Sequence, residues 1–221
     1  MPISTFVLIA LVALLVFWAV GAYNRLVRLR NTIANAFGQT DVQLKRRYDL
    51  IPHLVEAAKK YLQHEQGTLE AVTVARNKAK SASDAVRSKP TQAAAVVALA
   101  AAEQALDGSL GHLFAVAEAY PEFKADQTIR DLSEALTSTE NKVSFARQAY
   151  NDAVLDYNNA QGQFPALLIA SLFSFAPSAM LRATQSDAER DTVDYEALMV
   201  ARNAPRWLQM LVKHGFVPSP A

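Results

Sequence analysis

The side chains best equipped for chemistry in this chain are charged and amide groups set at helical spacing. Glu140, Ser144, Arg147, Asn151, Val154 and Asn158 recur in steps of three and four, which puts them on one stripe of one helix. Glu140 and Arg147 stand two turns apart on that stripe, and Arg47, Asp41 and Asp49 are available from an earlier helix. A bundle helix would ordinarily be apolar at these positions, and two readings follow. In the first, Arg47, Asp49, Glu140, Arg147, Asn151 and Asn158 form a structural network that fixes helix register. A half-satisfied buried charge costs on the order of several kcal/mol, so such a network must be nearly complete. In the second, the same residues line a ligand or proton-relay site. The network is the favoured reading, with Ser138, Thr139 and Asn141 satisfying leftover donors or lying on the wet face.

Other chemistries find little support. His53, His64, His112 and His214 fall on separate elements, and neither an HExxH nor a paired Glu-x-x-His motif is present. The chain has no cysteine, which excludes disulfides, thiolate metal sites and cysteine nucleophiles. A serine nucleophile would lack its glycine elbow, and no Gly-rich phosphate loop occurs. We therefore expect no enzyme activity, no cofactor and no metal. A net charge of +1 argues against nucleic acid as a partner, since such binding needs a strongly basic face.

The elements that must position these groups begin with an anchor. Ile3 through Asn24 carry no charge, and Arg25, Arg28 and Arg30 follow at once. A hydrocarbon core of about 30 Å needs roughly 20 apolar helical residues. Trp18 and Tyr23 suit the interface, and the arginines place the bulk of the chain on the cytoplasmic side of the membrane. The rival reading is a signal peptide cleaved near Val20-Gly21-Ala22, but such peptides carry a basic leader and a shorter apolar run. The expected organisation is an anchor over 1–24, a helical bundle over 25–163, an apolar segment over 164–181 and a tail over 182–221 holding one amphipathic helix.

Within the bundle, Tyr23, Leu26, Ile33, Phe37, Leu44 and Ile51 form a seam along the first helix, with Arg30, Thr40 and Arg47 in its remaining positions. Pro52 predicts a turn after Asp49-Leu50-Ile51, because the residue before proline avoids the helical region. A kink in one long helix is the alternative. Further helices are predicted over 53–84, 91–119 and 127–159, with a loop over 81–91 and Asp126 as an N-cap. The result is an all-α fold, an up-and-down antiparallel four-helix bundle behind a transmembrane helix. Lys45-Arg46-Arg47 stands about 30 Å from the span, beyond the reach of headgroup charge, so it is expected to be solvated or paired.

Three segments resemble the LemA family of membrane-anchored bacterial proteins. They are DVQLKRRYDLIPHLVE at Asp41–Glu56, LFAVAEAYPEFKA at Leu113–Ala125, and LTSTENKVSFARQAYNDAVLDYNN at Leu136–Asn159 with FPALLIASLFSF at Phe164–Phe175. The resemblance covers about residues 3 to 177 and implies one span plus an antiparallel bundle. It implies no established biochemical activity. One branch of the family is associated with magnetosome membranes, and other members are encoded beside membrane metalloproteases.

An up-down-up-down bundle brings the end of its fourth helix back toward the bilayer, so Phe164–Phe175 is expected there. Trp18, Tyr23, Arg25, Arg28, Arg30, Leu167, Leu172, Phe173 and Phe175 form the expected membrane-interface set; a cap on the bundle and a subunit contact are the other uses of that segment. If Pro52 merely kinks a long helix, the segment is expected far from the membrane. The function expected is that of a non-catalytic scaffold, self-assembling as a homo-oligomer, with the lipid bilayer as partner. The alternatives are an accessory subunit for another membrane protein such as a metalloprotease and, more weakly, a small-ligand-binding bundle.

Overall fold

The computed structural model describes residues 3–181, and among them the only regular structure is helical. Helix α1 runs from Ile3 to Ala58, α2 from Gln66 to Ser88, α3 from Ala93 to Ala117, α4 from Pro121 to Ala125, α5 from Gln127 to Gly162 and α6 from Ala166 to Leu172. The tail helix expected within 182–221 lies outside the described residues.

The turn expected at Pro52 is not there. Pro52 sits inside α1, which continues to Ala58, and the chain reverses over 59–65 instead. The reason lies in the bond that proline cannot make. A proline at position 52 leaves the Tyr48 carbonyl without its helical donor. Arg76 on α2 supplies one, its Nε donating to Tyr48 O at 2.9 Å. The adjacent Ile51 and Leu54 are fully buried, so packing also holds the helix through the proline. Residues His53 to Ala58 thus belong to α1, and the loop expected over 81–91 shrinks to 89–92 because α2 persists to Ser88.

This correspondence is testable by a cycle of substitutions. Arg76→Ala is expected to cost about 1–2 kcal/mol, the usual penalty for orphaning a buried acceptor. In a Pro52→Ala background the restored N–H should take up the Tyr48 carbonyl and erase most of that loss. Chemical denaturation of the four proteins in detergent measures it; an undiminished Arg76→Ala cost in the alanine background would refute the assignment.

Because the reversal moves by about two turns of helix without being lost, the chain still passes up, down, up and down. The expectation that a long helix through Pro52 would carry residues 164–175 away from the span is therefore wrong: they pack beside Tyr23. Pairs between α1 and α5 descend in opposite order: Phe37 meets Tyr150 edge-on at 5.9 Å, and Thr40 Oγ1 donates to Ala146 O at 3.2 Å; just past the end of α1, Tyr61 Oη donates at 2.8 Å to Asp126, the residue before α5. Along α1, Leu26, Ile33, Phe37, Leu44, Ile51 and Leu54 are buried, and Leu136, Val143, Ala146, Tyr150, Ala153 and Tyr157 answer from α5. Two positions of the α1 seam, Tyr23 and Arg30, are exposed instead. Asp126 caps α5 by accepting from the Ile129 amide at 3.1 Å. The Tyr61 hydroxyl and that amide together hold its carboxyl below the usual range.

Residues 3–20 of α1 expose their apolar side chains almost throughout, with Phe17 78% and Leu14 66% accessible. This end of α1 is long and apolar enough to cross a membrane. Helix α3 meets the same length and composition test, yet it packs along α2 and its carboxylates bond inside the bundle.

Candidate functional site

Two polar constellations stand out, and they are separate. The first centres on Arg47, which is 5% exposed despite its charge. Its guanidinium meets Glu103 at 2.9 Å, Glu140 at 3.1 Å, and Asp107 as well, so one cation ties α1 to α3 and α5. Glu103 also accepts from the Tyr48 hydroxyl at 2.5 Å. Burial works against the Arg47 charge, but the bond to Asp107 and the fields of three carboxylates outweigh it, leaving its pKa raised. Burial pushes the Glu103 carboxyl up, against the opposing pull of Tyr48 and Arg47. The Tyr48 hydroxyl is raised by burial and by the Glu103 charge, so it remains a donor at any ordinary pH.

The sequence-derived network is thus partly assembled and partly rearranged. Arg47 and Glu140 meet. Arg147 stands at the margin, 4.0 Å from Glu140. Asp49 is exposed and faces Arg76 at 3.9 Å, so it does not belong to the Arg47 cluster. Asp41, nearly buried, makes its own group on the other side of α1, accepting from Ser83 at 3.0 Å and Lys45 at 2.6 Å. Three members were not foreseen: Tyr48, Glu103 and Asp107. A signal for the last two exists, since they are i,i+4 carboxylates directly after the uncharged run Pro90–Ala102 and share one helix face.

Asn151 and Asn158 leave the network altogether and build the second constellation. After α6 the chain turns at Ser174, whose φ of 55° is left-handed, and residues 175–181 run back along α5. Each asparagine reads this strap as a β-ladder partner would. Asn158 donates to Ser178 O at 2.9 Å and accepts from Ser178 N at 3.0 Å. Asn151 does the same with Leu181, at 3.0 and 2.8 Å. The register is a matter of pitch: seven helical residues rise about 10.5 Å, and three extended residues span about 10 Å. Gln161 Nε2 to Phe175 O at 2.5 Å, Tyr157 Oη to Ala176 O at 3.0 Å and Tyr150 Oη to Ala179 O at 3.3 Å complete it. Burial raises both tyrosines, Tyr150 to about 12, so both keep the proton they donate.

The interface set divides likewise. Tyr23 packs edge-on against Phe173 and Phe175, with ring centroids 4.9 and 5.6 Å away, which puts α6 beside the foot of α1. Leu167, Leu172 and Phe173 are exposed there with Phe164 and Leu168. Trp18 and Arg25 line one groove with Phe164, Arg30 lines another with Phe175, and Arg28 is exposed but borders neither. Phe175 is buried instead, because the turn at Ser174 points it back onto Tyr23.

The LemA family model matches residues 36–195, well over half of the chain. This chain belongs to the LemA family. The match runs beyond Ser178, where the resemblance ended on sequence alone, so the strap lies within the matched residues. No curated protein matches the chain. LemA membership and an apolar N-terminal helix together fit a membrane-associated protein.

Proposed function

We propose that this LemA protein is a non-catalytic, single-pass scaffold at the bacterial inner membrane, with its bundle on the cytoplasmic side. In this reading it self-assembles and offers a rigid helical surface to the bilayer. The observation that carries the proposal is the docking of α6 on the foot of α1 through Tyr23, Phe173 and Phe175. That packing aligns the exposed apolar side chains of α6 with the end of the span, so anchor and bundle meet one surface together. Retention of the anchor is supported by its continuity: α1 is unbroken through Val20-Gly21-Ala22, and Ala19 and Ala22 pack against the core. The orientation rests on Arg25, Arg28 and Arg30.

Self-assembly is supported by the outer face of α1 and α5. There Val42 and Phe145 stand exposed, 60% and 77%, beside a groove that also presents Gln43 and Ala149. An aromatic side chain left this open is of the kind enriched in the buried cores of protein interfaces. Light scattering of the full chain in detergent is expected to give a mass of two or more copies, reduced by Phe145→Ser. A wild-type protein that is monomeric at every concentration would retire self-assembly.

A further inference from the structure

At the membrane-facing end of the bundle, a cleft of about 400 Å³ opens between α1, the α2–α3 turn and the start of the strap. Its charged lining is Arg30 and Lys89; no carboxylate borders it. Neither cation takes part in an ion pair among the described residues. The carbonyls around it are largely consumed. Tyr150 donates to Pro90 O, Ser178 to Thr91 O and Tyr157 to Ala176 O, at 3.2, 3.4 and 3.0 Å. What remains free to a ligand is the two cations, which only donate, and the side-chain amides of Asn31 and Gln92 with the hydroxyls of Thr91 and Ser174, which donate and accept. Two cations with no carboxylate select an anion over a cation, and the surrounding amides and hydroxyls can serve the oxygens of a phosphate group and the hydroxyls beside it.

We propose that this cleft binds a phosphate group, presented by the headgroup of an anionic phospholipid. Two features choose the lipid over a free phosphate. Arg30 lies six residues beyond Asn24, about 9 Å along an upright helix, just outside the roughly 5–7.5 Å headgroup layer of one leaflet and within reach of it for a long side chain. Immediately below, Leu172 and Phe173 expose an apolar rim that would meet the acyl region. The ligand source, unlike the phosphate chemistry, rests on the membrane reading given above.

Full-length protein in neutral detergent, titrated with phosphatidylglycerol and read by native mass spectrometry, tests this. The pair Arg30→Gln and Lys89→Gln is expected to weaken retention about 25-fold, near 5-fold for each cation. A control pair with the same charge change at the far end, Arg46→Gln and Lys78→Gln, should bind as the wild type does. Circular dichroism verifies that each variant is folded. Phosphatidylcholine should bind more weakly than phosphatidylglycerol. Soluble glycerol phosphate is the remaining arm: if it binds with the same dependence on Arg30 and Lys89 while the lipid does not, the phosphate site stands and the lipid source falls. Equal loss in both variant pairs, or no loss in the cleft pair, overturns the proposal. Alkaline carbonate extraction separates the failures, because release from membranes would strike the anchor and leave phosphate binding measurable.

Discussion

Replacing Arg47 with alanine is expected to destabilise the bundle by about 3–5 kcal/mol, the cost of leaving a buried charge without its partner. Glu103 bears most of this, since its side chain is 8% exposed, whereas Asp107 and Glu140 are about two-fifths exposed and partly screened. Tyr48 would keep one bond to Glu103, but Arg147, 4.0 Å from Glu140, would be the one cation left near three carboxylates from two helices. The matched substitution Arg147→Ala should cost less than about 1 kcal/mol, because Arg147 only approaches Glu140 at 4.0 Å. Denaturation of both variants in detergent decides the ranking. Equal costs would mean that the guanidinium of Arg47 is not the hub that joins α1, α3 and α5.

The second expected result concerns the strap. Asn151→Ala with Asn158→Ala removes four hydrogen bonds, each worth about 0.5–1.5 kcal/mol, so local anchoring should fall by about 2–6 kcal/mol. Hydrogen exchange at Ser178 and Leu181, whose amides donate to those asparagines, should accelerate about 30-fold or more while the α1–α5 core stays protected. The substitution Asn→Asp is informative too. An aspartate retains the acceptor for the strap amides and loses the donor for its carbonyls, so it should produce an intermediate release. Exchange at the strap unchanged by the alanine pair would show that Tyr150, Tyr157 and Gln161 hold it alone.

These two outcomes bear on what could be read without coordinates. The three-four spacing of Leu136, Val143, Ala146, Tyr150, Ala153 and Tyr157 declares a buried face, and that face is buried. Periodicity works there because one helix face has one environment. It fails for the neighbouring stripe, where Glu140, Asn151 and Asn158 share a line on α5 but meet different partners: α1 near one end, the strap near the other. Spacing reports which residues share a face and says nothing of what covers it. Pro52 illustrates the same limit. Local preference argues for a turn, but Arg76, 24 positions away in the chain, supplies the missing donor and the helix persists. The strap itself has no periodic signal, since an extended segment read through its backbone constrains its side chains little. The return of α6 to the span was legible because the number of passes, not the position of each turn, sets where the chain ends.

The central claim is that span and α6 engage one bilayer surface. With no cysteine in the chain, a single nitroxide can be placed at Leu172→Cys and, in a second protein for comparison, at Lys78→Cys, an exposed position on α2 away from both proposed contact surfaces. In vesicles containing the full-length protein, the label at 172 should be relaxed by oxygen dissolved in lipid and shielded from a water-soluble nickel complex, with the reverse at 78. A label at 172 as open to aqueous nickel as the one at 78 would contradict the account.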